Sequence, residues 1–353
     1  MVDDIFQFLL MFDNTLEVGI RKDVFLGDID SLKIPEKYNN YVVTKISDYG
    51  FYKCNNLKEI ILPESIKHIG KKAFASCSSL EDIIMPQGVI SIGYKAFSKC
   101  SALKTISLPD TIVTLSRYVF DGCTSLEHIT IPKNVACIKE GLLRDCYSLL
   151  TVTIPEGVTK INFGAFEGCK SLDSITLPKT IIKIEQNAFV NCVSLNSIQL
   201  SDNIEDIQID AFLNTGYYND ASNWDNGLLF VGKYLVSVKT NSSGIYKIYP
   251  SGVTTITTGT FCSTDNIKEV EITNAVICSR AFYNFNIDKL VLNNCFMWTE
   301  SFWNCIINDV EINYSIVNED AFCNAKVGNS TINGVEYSLP EASLIPAIAN
   351  DRL

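Results

Sequence analysis

The chain has 353 residues, is 47% hydrophobic and 20% charged, and carries a formal net charge of −11. That composition excludes wholesale disorder, and the acidic balance argues against nucleic acid or an anionic membrane, which need a Lys/Arg surplus on one face. Only two histidines, His68 and His128, are present, so a His-rich metal site or His-based catalysis is not expected, and no apolar run reaches the ~18 residues of a membrane span.

In chain order, Ile5 to Phe12 is mostly apolar but follows Asp3 and Asp4 rather than a basic stretch, and no small-residue cleavage site follows it. It is a poor secretory signal and is expected to be a structural end-cap. Residues 1–50 are read as this cap and a first long coil, because Ile34-Pro35 precedes Phe51 by more than the later spacing.

A repeat begins at residue 51. Phe51, Phe74, Phe97, Phe120, Leu143, Phe166, Phe189 and Phe212 stand 23 residues apart. Three residues on come Cys54, Cys77, Cys100, Cys123, Cys146, Cys169 and Cys192, and then the leucines from Leu57 to Leu195. Pro63, Pro86, Pro109, Pro132, Pro155 and Pro178 close the segment. Within one unit Ile60 and Leu62 alternate with polar positions, as in a short strand with one buried face. Pro63 ends that strand because it has no N–H to give a ladder. Ile66 and Ile69 turn back inward, and Ala73 and Phe74 fill the remaining volume. One coil cannot bury these groups alone; coils stacked about 4.8 Å apart can.

Residues 51–215 therefore form a regular block. Residues 216–249 interrupt it. They carry Tyr217, Tyr218 and Trp224, and Leu228 to Val236 reads as a hairpin turning at Gly232-Lys233. Residues 250–325 resume with Phe261, Phe282, Phe302 and Phe322 at steps of 21, 20 and 20. Residues 326–353 are read as a second cap, with Val335 to Leu344 closing the end.

The pairs Ile69-Gly70 and Ala73-Phe74, repeated as Ile92-Gly93 and Ala96-Phe97, resemble the BspA-like class of leucine-rich repeats found in bacterial and protist surface proteins. Asn214 to Tyr218 followed by Asn223 to Gly227 resembles an interruption of that class. The likeness covers roughly residues 30–325. It implies an α/β-type repeat, a curved leucine-rich repeat solenoid of about twelve coils with a parallel β-sheet on its concave face. No Asn or Cys stands three residues after the strand, so the usual asparagine ladder is not expected.

The cysteines admit three interpretations. A zinc site wants Cys-x-x-Cys, which is absent. A disulfide framework suits small secreted domains without a core. Stacked cysteines would lie within disulfide reach but with side chains running parallel, which favours a ladder of buried free thiols.

Residues between the core positions of each strand face outward. In the first block they run from Glu59, Ile61, Asp82 and Ile84 to a hydroxyl-rich stripe of His128, Thr130, Thr151, Thr153, Ser174, Thr176 and Gln199. After the break the stripe turns acidic at Glu269, Glu271, Asp309 and Glu311. The stripe and the interruption aromatics Tyr217, Tyr218 and Trp224 are the candidate ligand-binding surface; Phe296, Trp298 and Trp303 gather in one late coil. No catalytic, cofactor or metal site is read from the sequence. The resemblance implies a non-enzymatic scaffold at the cell surface or outside the cell, mediating protein–protein interaction or adhesion to host proteins, matrix or another cell. The alternative is a carbohydrate-binding module using the Ser/Thr stripe and the loop aromatics. Without a visible signal peptide, a cytoplasmic location is the other possibility. Neither nucleic acid nor membrane insertion is expected.

Overall fold

The computed structural model describes residues 5–24, 27, 29–261, 267–337 and 345–350. The chain is a parallel-strand β-solenoid of about thirteen turns with almost no helix, one turn more than the phenylalanines count. The ladder already runs through the long first coil, whose strand Ser31–Lys33 pairs in parallel with Glu59–Ile61. Two compact units can be distinguished: Met1–Ile204 with Phe212–Asn219, and Glu205–Ala211 with Asp220–Leu353.

In the first unit most coils contribute two short strands to two walls; the coil at Thr105–Ser107 joins the first wall only by isolated bridges, Ile84 to Ser107 and Thr105 to His128. One wall runs through Glu59–Ile61, Asp82–Ile84, His128–Thr130, Thr151–Thr153, Ser174–Thr176 and Ser197–Gln199, mostly with a buried central residue between two exposed ones. The other wall carries His68–Ile69, Ser91–Ile92 and Thr114–Leu115, each paired in parallel with the next. It starts on the antiparallel pair Phe6–Leu10 and Leu16–Ile20, which Tyr41–Ile46 joins in parallel. The prolines stop the first strand, and Ile66 and Ile69 bring the second wall inward as the spacing predicts; both are buried.

Between the walls the phenylalanines stack ring on ring. Phe51, Phe74, Phe97 and Phe120 follow one another at centroid separations of 5.2, 5.3 and 5.8 Å. Leu143 interrupts the stack, and it resumes as Phe166, Phe189 and Phe212 at 5.0 and 5.4 Å. Each ring is almost wholly buried, and burial of one such side chain contributes about 1.5–3 kcal/mol before ordering costs. The backbone of this segment also joins coil to coil: Phe74 N–H donates to the Ala96 carbonyl at 2.8 Å, and Phe97 N–H to Val119 at 3.0 Å.

The described cysteines are free thiols. In the first unit the inner ones form a hydrogen-bonded ladder. Cys77 Sγ donates to the Phe51 carbonyl at 3.0 Å, and Cys100, Cys123 and Cys146 repeat the contact to Phe74, Phe97 and Phe120 at 3.2 Å. Cys169 and Cys192 extend it to Leu143 and Phe166.

The second unit uses longer strands. Ile245–Ile248, Ile267–Thr273, Asn286–Asn293, Ile306–Asn313 and Lys326–Ile332 form one parallel wall, with Val335–Tyr337 antiparallel at its end. The hairpin at Gly232-Lys233 forms as read, between Leu228–Val231 and Tyr234–Val238. This unit has its own Phe stack, Phe261, Phe282, Phe302 and Phe322, at 4.2, 4.8 and 4.9 Å. Asparagine ladders are present here, at positions other than the usual one three residues after the strand. Asn294 Nδ2 donates to Asn274 Oδ1 at 2.6 Å, Asn304 to Asn284 at 2.6 Å and Asn313 to Asn293 at 2.9 Å. The 20-residue step brings like side chains into register, and several of these asparagines sit in left-handed turns that they tolerate better than most residues. Of the proposed closing segment Val335 to Leu344, residues 338–344 lie outside the described residues.

Candidate functional site

The hydroxyl stripe is built by strand pleat. Ile129 and Ile175 turn inward, so their neighbours His128, Thr130, Ser174 and Thr176 turn outward and are exposed. Parallel pairing sets His128 opposite Thr151, Thr130 opposite Thr153 and Thr176 opposite Gln199. His128 Nδ1 lies 2.8 Å from Thr151 Oγ1, and Thr176 Oγ1 donates to Gln199 Oε1 at 3.3 Å. The side chains thus partly satisfy one another along the ladder. His68, on the other wall, is exposed and makes a similar contact to Ser91 Oγ at 2.8 Å. Both imidazoles lean on a hydroxyl of the next coil, which orients the ring but supplies no charge relay.

One end of the same strand face is apolar. Ile61 and Ile84 are in register, 43% and 76% exposed. Pattern reading places them outward without singling them out, since an isolated exposed isoleucine is ordinary; only their stacking makes a patch.

In the second unit the face is not acidic throughout. Lys289 stands in register between Glu269 and Asp309, and Val291 between Glu271 and Glu311. Lys247 Nζ lies 3.7 Å from Glu271. The coil at 287–292, passed over when the acidic residues are picked out, supplies the intervening lysine and valine.

The interruption residues fall on different units. Tyr217 and Tyr218 lie on the short helix Gly216–Asn219 of the first unit, both half-buried. Tyr217 N–H donates to the Leu195 carbonyl at 2.7 Å, Tyr218 N–H to Thr215 Oγ1 at 3.0 Å, and burial pushes the Tyr217 phenol above its ordinary range. Trp224 belongs to the second unit, on a strand paired with Leu228–Val231. The Lys239 ammonium sits 3.8 Å over the indole, and burial holds that ammonium below its usual range. One face of Trp224 is therefore taken by a cation–π contact.

The late-coil aromatics divide. Trp303 stacks on Tyr283 at 5.2 Å with Arg280 over it. Phe296 and Trp298 are 42% and 44% exposed and meet edge to face at 6.4 Å. Ile316, half exposed, pairs in register with Phe296. Together they make an apolar patch on the second unit. Among the described residues no group of three or more His, Cys, Asp or Glu is placed to hold a metal ion, and no helix is long and apolar enough to cross a membrane.

Comparison with known proteins follows the same lines. The family described as BspA type leucine rich repeat region matches in six copies, over residues 44–172, 137–226 and 241–340. A leucine-rich repeat protein from Bacteroides ovatus is similar at 22% identity over 94% of this chain and 91% of its own, with a TM-score of 0.59. A leucine rich cell surface protein from Faecalibacterium prausnitzii is similar at 23% identity over 91% of this chain and 93% of its own, with a TM-score of 0.52. A search of curated proteins finds no match.

Proposed function

The chain belongs to the BspA-type leucine-rich repeat family, and we propose that it is a non-enzymatic scaffold that binds a protein partner at a cell surface or outside the cell. The observation that carries this is the patch of Phe296, Trp298 and Ile316 in the second unit. Exposed aromatic clusters are where protein interfaces concentrate their binding energy, and threonine-rich strands are not. Trp224 is the poorer anchor because Lys239 already covers its ring. The F. prausnitzii protein's description as a cell surface protein supports the location. A scaffold also accounts for the hydroxyl–imidazole contacts: His128 and Thr151 meet on an open strand face, without the enclosing pocket that acyl transfer needs.

The test is binding of the full chain to an array of purified extracellular-matrix proteins, plasma proteins and neutral glycans. The expected result is saturable binding to a protein, lost at least tenfold in Trp298→Ala and Phe296→Ala and kept in Thr153→Ala. Binding confined to neutral glycans and lost in Thr153→Ala would replace this reading with the carbohydrate module.

A further inference from the structure

A groove of about 520 Å³ runs along the first unit, with Tyr94, Ser116, Lys139, Asn162, Phe163 and Glu185 among its lining residues. That volume is within the range of small-molecule sites, about 300–1,000 Å³. Ser116, Lys139, Asn162 and Glu185 share one register position, 23 residues apart, at the turn that follows the second wall. Backbone bonds tie the coils together there. Tyr118 N–H donates to the Glu140 carbonyl at 2.9 Å, Asn162 N–H to Ile138 at 2.9 Å and Glu185 N–H to Ile161 at 2.8 Å. In the two coils before Ser116 the same position is Gly70 and Gly93. A Cβ at Gly93 would stand 2.8 Å from the Gly70 carbonyl carbon, and one at Gly70 would stand 2.6 Å from the Ile46 oxygen. The early coils close this position with backbone, and the later coils open it to side chains.

The charges flanking the groove are paired: Arg117 with Glu140 at 3.1 Å, and Lys160 with Glu185 at 2.6 Å. Three polar ends on the groove itself are not. Ser116 Oγ and the Lys139 ammonium have no hydrogen bond or ion pair among the described residues. Asn162 Oδ1 is buried without a hydrogen-bond partner, so it has lost its hydration for nothing in return. Its amide turns readily about the last torsion, which brings that oxygen to the groove. Phe163 is 39% exposed, with no ring or cation against it among the described residues. Tyr94, in contrast, already carries the Lys71 and Lys95 ammoniums at 5.9 and 5.5 Å.

We propose that this groove binds a free α-amino acid with an apolar or aromatic side chain. The groups on offer are sorted by sign along the register. The donors Ser116 and Lys139 stand at one end and suit a carboxylate. The Asn162 oxygen and the remaining lone pairs of Glu185 stand at the other and suit an ammonium. Lys139 and Asn162 are one coil step apart, about 4.8 Å, so a carboxylate and an ammonium on one carbon lie across them. A peptide end carries only one of those charges, as does a plain carboxylic acid, and each leaves half of the groove unmet. Phe163, next to Asn162, offers its open ring to an apolar side chain. The groove and the aromatic patch belong to different units, so either can fail without the other.

The experiment is calorimetric titration of the full chain with L-phenylalanine and L-leucine. N-acetyl-L-phenylalanine and L-phenylalaninamide, which each lack one of the two charges, run alongside. Saturable binding of at least one amino acid is expected, weakened at least tenfold in both blocked forms. Lys139→Gln and Asn162→Ala are each expected to weaken it at least tenfold. Lys139 has no bond to lose, so its variant is expected to keep the parent's circular dichroism and melting temperature. Lys133→Gln, outside the groove and paired with Asp110, is expected to bind as the parent does. No saturable binding of either amino acid, equal binding of a blocked form, or parent-like binding in Lys139→Gln would each overturn the proposal, and the Asn162 oxygen would then be met by water alone.

Discussion

Cys123 Sγ and the Phe97 carbonyl oxygen, 26 positions apart in sequence, meet at 3.2 Å. The same oxygen accepts the Cys100 N–H at 3.1 Å, so it ties together its own turn and the next coil. Repeated from Cys77 to Cys192, this contact explains why a residue with a weak donor and a small apolar body recurs at one corner. The corner is closed to water, and an S–H gives the inward carbonyl a second partner at little desolvation cost.

Cys123→Ala removes that donor and leaves a small void. The expected loss is about 1–2 kcal/mol of unfolding free energy, read from urea denaturation followed by circular dichroism. An unchanged midpoint would mean the thiol contributes neither hydrogen bond nor packing.

Burial pushes the Cys100 and Cys278 thiols up to about 12 and Cys295 to about 11, against an ordinary 9.0. The folded chain therefore holds these protons at a pH where the unfolded chain releases them. The stability this represents is fully present below about pH 9 and is lost as pH rises through the folded values. Tyr118, raised to about 12 by burial and then by its hydrogen bond to Glu140, acts with the same sign from its ordinary 10.0 upward. The urea midpoint, measured under reducing conditions, should fall steadily on the alkaline side of pH 9; a flat profile would contradict the buried thiols.

Gly141 and Gly157 both have positive φ, +56° and +98°. A Cβ at Gly141 would run into the Tyr118 ring, whereas a Cβ at Gly157 meets nothing within 4 Å. Gly157→Ala is expected to cost about 1 kcal/mol through backbone strain alone, and Gly141→Ala more than that. Comparing melting temperatures of the two variants isolates the contact with Tyr118. Equal losses would show that the ring moves aside freely.

Much of this architecture is legible in the sequence, because the period is. Phe74, Phe97 and Phe120 recur at one interval, and a residue that must fill one volume in every coil leaves that trace. The proline stops and the hairpin turn at Gly232-Lys233 are equally local, set by missing N–H groups and by a tight turn. What pattern reading missed depends on neighbours one coil away. Left-handed backbone at Lys72 and Lys95 is invisible until each is aligned with Gly141 and Gly164. The asparagine ladders of the second unit arise because a 20-residue step superposes Asn274 on Asn294 and Asn284 on Asn304, positions unlike those where such ladders are sought. The functional surface was the least legible part. Tyr217 and Trp224 look free in sequence, but burial and Lys239 decide otherwise, while Ile316 becomes interesting only when pairing sets it beside Phe296.

The central claim is that the coils stack in register with their thiols sealed between them. Native-state thiol labelling, read residue by residue by mass spectrometry, tests it most directly. The account predicts that the half-buried Cys54, Cys137 and Cys323 are modified first while Cys100 and Cys123 stay protected until the chain unfolds. Modification of Cys100 and Cys123 as fast as Cys54 in the folded protein would contradict it.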